Sequence, residues 1–394
     1  MTTRDIFKKV INFEPCDRTL DWEFGYWGGA LNRWYEEGLP RIKGLPKKVT
    51  FGEVVFGPGL HWPEPSFAEN LVRDFDVSSY FNFDEGLELV PYNFWIFPMF
   101  EKKIISEDET HTEMYDQHGK RIKIMKDDSS LPFFLEWPVK SRKDWEKIKE
   151  ERFNLDTIDK RYIGDVGSFF EKAKNRAFPI ALFSDPVGFF GSIRFLIGEE
   201  NLFLLYYDNP TLIKDILNHL CNLWISIAEE LISKIDFDIA CFWEDMSGKN
   251  GSLISPATFR EFMTPCYKKM TSFLKSNGIK NILVDTDGNV DGLIPLFMEA
   301  GLNSMYPFER QADNDPVKIR DNYPELRMWG TFDKNTLYKG KDYIDKELEM
   351  MSYLIKKGGF IPFADHLVPP NCSWENFKYY RNNLKRIIYS TKVL

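Results

Sequence analysis

From about residue 140 onward the chain alternates helical and strand-like periodicity, and this alternation limits the folds open to it more than any other feature. Short apolar runs over 179–184, 238–243, 281–285, 304–308, 327–331 and 360–364 predict buried strands. Helical spacing predicts helices over 190–196, 211–234, 256–277, 290–300, 316–322 and 345–357. The last of these closes on Gly358-Gly359, and a further helix is expected over 374–388. Upstream, 4–11, 143–151 and 167–175 also read as helices. A strand over 19–25, Thr-Leu-Asp-Trp-Glu-Phe-Gly, and another near 77–83 bring the strand count to eight. Strands that alternate with helices build parallel sheets, so the prediction is an α/β fold, a (β/α)8 TIM barrel over residues 1–394 as a single domain. A doubly wound open sheet is the rival, but it calls for a glycine-rich dinucleotide turn after an early strand, and the sequence has none.

Between about 40 and 140 the texture shifts to Gly, Pro and aromatic residues. Strand-like pieces over 102–106 and 121–126, joined across Asp116-Gln-His-Gly119, predict an antiparallel β insertion at 101–127, serving as a flap or dimer contact. His61, His111 and His118 in this region read as structural. A net charge of −9 argues against nucleic-acid binding, because phosphate contacts need clustered Lys and Arg. The longest apolar run, 92–100, is broken by Pro98 and too short to span a bilayer, and the amino terminus lacks the apolar core of a signal peptide. The expected location is the cytoplasm. Five cysteines without paired CxxC spacing fit reduced thiols.

Function is expected where the strands end, since barrel enzymes build their sites from the segments that follow each strand. The run 281–289, Asn-Ile-Leu-Val-Asp-Thr-Asp-Gly-Asn, stops in two carboxylates on one face, Asp285 and Asp287, with Thr286 turned to the other. Capping the next helix is the other use open to Asp287. Other strand ends carry Glu23 beside Trp22, Asp185, Trp243-Glu244, Glu309, Asp333 and Asp365-His366. Carboxylates crowded around one opening raise one another's pKa, supplying acids near neutral pH, or bind a cation that cancels their repulsion. His366 can be oriented by Asp365, act as a neutral ligand, or sit at the core edge. Lys249-Asn250, in the loop after Glu244, offers a cation and an amide to a polar substrate, or is simply solvated.

Several segments taken together resemble the uroporphyrinogen decarboxylase superfamily. They are Trp243-Glu-Asp-Met, Leu253-Ile-Ser-Pro-Ala-Thr-Phe-Arg-Glu-Phe262, Pro265-Cys-Tyr-Lys268, Asp285-Thr-Asp-Gly-Asn289, Leu293-Ile-Pro295, Ala300-Gly301 and Gly359-Phe-Ile-Pro-Phe-Ala-Asp-His366. The resemblance implies a (β/α)8 barrel, often a homodimer, with one of two chemistries: decarboxylation of porphyrinogen acetates, or methyl transfer to the cobalt of a corrinoid protein. True uroporphyrinogen decarboxylases have an arginine-rich Met-Arg-Gln-Ala-Gly-Arg segment at the first strand; here Asp21-Trp-Glu-Phe-Gly-Tyr-Trp stands instead. An acidic pocket repels a substrate of eight carboxylates. The methyltransferase branch commonly ends the strand corresponding to 281–285 in His-x-Cys, two zinc ligands, where this chain has Asp285 and Asp287. Carried to those positions, the metal candidates are Asp285, Asp287, Glu244 and His366, with zinc the implied ion, although sites without thiolate hold zinc less tightly. The expected function is therefore methyl transfer from a small methoxylated compound, aromatic ones included, to a corrinoid protein partner. Asp285, Asp287, Glu244 and His366 are the catalytic candidates. Glu23, Trp22, Asp185, Trp243, Lys249, Asn250, Glu309 and Asp333 are the substrate-binding candidates. A decarboxylase acting on a smaller acid and a non-catalytic binding barrel are the alternatives.

Overall fold

The structure, a computed structural model, describes residues 1–45, 49–59, 72–126 and 132–393. His61 lies outside the described residues. Seven parallel strands form the main sheet: β1 (Glu88–Leu89), β2 (Ile180–Leu182), β3 (Ile239–Trp243), β4 (Ile282–Asp285), β5 (Ser304–Tyr306), β6 (Arg327–Phe332) and β7 (Phe360–Ala364). Each strand lies beside its neighbours in sequence, as in the wall of a barrel. Every residue of β2, β4, β5 and β7 is buried, which explains why these strands read as unbroken apolar runs rather than alternating ones. Helices cover them, the longest being Pro210–Ile232, which starts with proline in its first turn under an Asn209 cap.

Two early expectations fail. The segment expected as a strand over 19–25 does not join the sheet ladder; only Gly25–Trp27 is strand, paired antiparallel with Val54–Phe56. Residues 19–24 instead lie beside β7 through single contacts, Thr19 Oγ1 donating to the Phe360 carbonyl at 2.7 Å and Ala364 N donating to Glu23 Oε1 at 3.0 Å. Among the described residues the main sheet is thus a ladder of seven strands. The second expected strand, near 77–83, is the helix Asp76–Phe81, and the first strand of the sheet falls later, at Glu88–Leu89.

The Gly- and aromatic-rich region carries a four-stranded antiparallel sheet of Lys103–Glu107, His111–Tyr115, Arg121–Met125 and Phe133–Glu136, reaching past the 101–127 expected. The turn at 116–119 joins its middle strands, and His118 is buried in that turn, accepted by Asp116 through its backbone N–H. All five cysteines are free and buried. No helix among the described residues is long and apolar enough to cross a membrane.

Candidate active site

The carboxyl ends of β3, β4 and β5 finish at one level, because Trp243 pairs with Asp285 and Asp285 with Tyr306 across the ladder. Beyond Asp285 the chain turns within three residues. Thr286 points away, its Oγ1 accepting the Met246 N–H at 3.0 Å, so Asp285 and Asp287 share the other side. Gly288 makes the turn at φ +81°, where a Cβ would meet the Ser247 carbonyl oxygen at 2.4 Å. Asn314 clamps the loop by donating to the Gly288 carbonyl and accepting from Val290 N. Non-glycine residues with left-handed backbone mark three other strand ends, at Phe183 (+69°), Asp245 (+41°) and Thr331 (+80°). Strain of this kind collects where a site needs an unusual chain path.

Around the pair stand Glu309 from the end of β5, Lys334 after β6, and Asp365 and His366 after β7. Burial pushes the Asp285 carboxyl well above its ordinary range, and the charges of Asp287, Asp245, Asp185 and Glu309 add to the shift. Asp287 is pushed up to about 8, by burial first and then by Glu309 and Asp245. Both shifts favour a proton on the pair near neutral pH. Burial also lowers the His366 imidazole to about 4, so it is neutral there; its Nε2 lies 3.9 Å from Asp287 Oδ2, beyond hydrogen-bond length. Burial would raise Glu309 as well, but Lys334 Nζ at 3.2 Å and the Gly288 N–H at 3.1 Å hold it below its usual value. Asp365, pushed by burial to about 7, accepts Arg310 N at 2.8 Å and Lys334 N at 3.0 Å and so fixes two loops of the rim. The Tyr306 hydroxyl, 1% exposed as a residue and set among these acids, has no hydrogen-bond partner among the described residues.

Asp285, Asp287, Glu309 and His366 are thus brought together as the sequence suggested. Glu244 is not: its Oε1 accepts Phe189 N at 2.7 Å and the Tyr267 hydroxyl, and its Oε2 accepts Phe190 N at 2.6 Å and Gly191 N at 2.9 Å. Four donors fill the carboxylate, which caps the helix Phe189–Ile197 and has no acceptor site left for an ion. Trp243 packs on Phe195 at 5.0 Å and under the Arg194 guanidinium. Lys249 and Asn250 sit exposed at the tip of the hairpin formed by Ser247–Gly248 and Gly251–Ser252. Asp333 caps the turn Lys334–Tyr338 through Asn335 N. Trp22 is core, packed on Phe7 and Trp329, and Glu23 is fully buried in an ion pair with Arg381 at 3.1 Å. From that first segment the residue that reaches the site is Phe24, whose ring lies 5.0 Å from Tyr306 and 5.8 Å from His366. Reading the strand by its acids missed it. Lys334, Tyr306 and Lys120 were missed too; the first two follow or end predicted strands, so strand position could have found them, whereas Lys120 lies in a distant turn.

Zinc does not fit this arrangement. Among the described residues no three His, Cys, Asp or Glu side chains converge as a metal-binding group, and Glu244 faces a helix end. No step below is routed through a metal. A comparison with curated proteins gives no significant match. Residues 118–387, well over half of the chain, match the family model described as uroporphyrinogen decarboxylase (URO-D), a span that begins in the antiparallel sheet and contains β2 to β7 with every rim residue just described except Phe24. On that match, the chain belongs to the uroporphyrinogen decarboxylase superfamily.

Proposed function

We propose that the chain is a methyltransferase that takes a methyl group from a small methoxylated compound and passes it to a corrinoid protein, with the Asp285–Asp287 pair as general acid. The observation that carries this reading is the pair itself: two neighbouring carboxyls, Asp285 buried and Asp287 half-buried, whose only ion-pair contact among the described residues is the 3.9 Å approach of the neutral His366 to Asp287. An alkoxide or phenoxide leaves poorly, so breaking an O–CH3 bond by displacement calls for a proton on the oxygen as the bond breaks. The reduced corrinoid of the partner supplies the electron pair that takes up the methyl group. The C–O bonding electrons stay on oxygen, a carboxyl of the pair gives that oxygen its proton, and the carboxylate regains one from water. Phe24 and Tyr306 supply aromatic surface beside the pair, and the Tyr306 hydroxyl can orient the ether oxygen.

The same proton would serve a carbanion left by loss of carbon dioxide. A substrate carboxylate needs a cation to hold it, however, and Lys334 is already engaged by Glu309. Methyl transfer is therefore the better fit. Mixing the protein with a corrinoid protein in its cobalt(I) state and a panel of aryl methyl ethers tests the reading by the absorbance change of corrinoid methylation. Methylation that disappears in Asp285→Ala is the expected result. No change across the panel, with carbon dioxide released from a carboxylated substrate, would overturn it in favour of a decarboxylase. Indifference of every assay to Asp285→Ala would leave a binding barrel without catalysis.

A further inference from the structure

Two strands along the sheet from the acid pair, Asp185 follows β2, and its Oδ1 is buried without a hydrogen-bond partner among the described residues. Buried acceptors are nearly always satisfied, so an orphan of this kind at a strand end marks a place where a ligand donor completes the bonding. Asp185 lies within electrostatic reach of Asp285, and the orphaned Tyr306 hydroxyl stands beside that pair. The acid pair is therefore flanked by two unmet polar atoms, one that needs a donor and one that can supply a proton to an ether oxygen.

The cations within electrostatic reach of Asp185 narrow the donor. Lys120, 4% exposed, reaches in from the antiparallel sheet, its ammonium 3.7 Å from Asp116 and above the rings of Phe134 and Phe195 at 4.7 and 4.2 Å. Arg194 sits close by, bound to Asp245 Oδ2 at 2.6 Å. Two cations within electrostatic reach of Asp185 disfavour a substrate ammonium and leave a neutral hydroxyl as the fitting donor. We propose that Asp185 binds a free hydroxyl on the methoxylated substrate, remote from the methyl group transferred, and that Lys120 is a positioning residue that acts on Asp185 through its charge. The inference rests on the methyl-transfer reading and adds to it the substrate's second anchor.

The test uses pairs of aryl methyl ethers that differ only in one free hydroxyl, titrated into the full-length protein by calorimetry and then offered as methyl donors with reduced corrinoid protein. The hydroxylated member should bind more tightly by about fivefold, the worth of one hydrogen bond to a buried carboxyl. In Asp185→Leu the ratio of the two dissociation constants should collapse to about one, a readout that partial unfolding does not move. Lys120→Met should raise KM for the hydroxylated ether more than it lowers kcat, and Lys120→Arg should restore KM. If the two ethers bind alike, or the ratio survives in Asp185→Leu, this inference is overturned while methyl transfer stands. If no ether binds or donates methyl, the methyl-transfer reading fails and takes the inference with it.

Discussion

Replacing Glu244 with Gln separates a residue that builds the site from those that act in it. In the native protein each carboxylate oxygen accepts two donors, three of them backbone N–H groups at the start of Phe189–Ile197 and the fourth the Tyr267 hydroxyl. An amide has one acceptor oxygen, so its NH2 group faces either the Phe190 and Gly191 N–H groups or the Phe189 N–H and the Tyr267 hydroxyl; the hydroxyl can turn to accept, but at least one backbone N–H is left unmet. Glu244 is fully buried, so water does not replace the lost bonds. Each buried donor left unmet costs about 1–3 kcal/mol. Against this, Gln removes a charge that burial opposes, since burial pushes the Glu244 carboxyl up to about 7 even with four donors pulling it down. The net loss is about 2–4 kcal/mol. At about 2 cal/mol/K of unfolding entropy per residue, a 394-residue chain loses roughly 1 °C per kcal/mol, so Tm should fall by about 2–5 °C. The gap should narrow toward alkaline pH. Because the folded carboxyl is raised above an unfolded value of about 4.3, the native protein loses stability as pH rises from there through about 7, whereas Gln does not titrate. Circular dichroism melts at pH 5 and pH 8, with methyl transfer measured at 25 °C, check this. Activity per folded molecule should stay within about threefold of the native protein. An unchanged Tm with activity abolished would refute the reasoning and return Glu244 to the chemistry.

Asp287→Asn should abolish turnover while stabilising the protein above pH 7. Its folded carboxyl is raised to about 8, so the native protein loses stability as pH rises from about 4 toward 8; with 40% of the side chain open to solvent, screening reduces the gain to about 1 kcal/mol, readable by urea unfolding at pH 6 and 8. Tyr306→Phe removes an unpartnered hydroxyl, so melting should move by no more than about 1 °C, while kcat falls about tenfold if the hydroxyl orients the ether oxygen. Arg381→Met strands the fully buried Glu23 and leaves Asp21 only Lys385, at 3.3 Å, and should cost about 3–5 kcal/mol in chemical denaturation; loss of less than 1 kcal/mol would show that Glu23 is not held as described.

The strands from β2 to β7 were legible because each is an apolar run bounded by helices, and their ends located Asp285, Asp287, Glu309 and His366. The amino-terminal part misled for identifiable reasons. Residues 19–24 alternate acid and aromatic like a strand with one wet face, yet both faces are buried, since Arg381 and Lys385 from the carboxyl-terminal helix pair with Asp21 and Glu23. Nothing near Glu23 in sequence announces that partner. The helix Asp76–Phe81 hid behind Val-Ser-Ser-Tyr-Phe, a strand-like composition, although Asp74 receives the N–H groups of Asp76, Val77 and Ser78 as a cap would. β1 is too short, at two residues, to show a period. For Glu244 the sequence located the residue at a strand end but not the direction of its side chain, which the neighbouring helix end decides.

The central claim is that the Asp285–Asp287 pair carries a proton at neutral pH, and infrared spectroscopy of the carboxylic acid C=O stretch tests it most directly. Difference spectra between the native protein and Asp287→Asn at pH 7 should show a protonated-carboxyl band in the native protein that is lost in the variant and titrates away above about pH 8. A native protein without that band at pH 7 would mean that both carboxyls are ionised, and the acid proposed for the leaving oxygen would not exist.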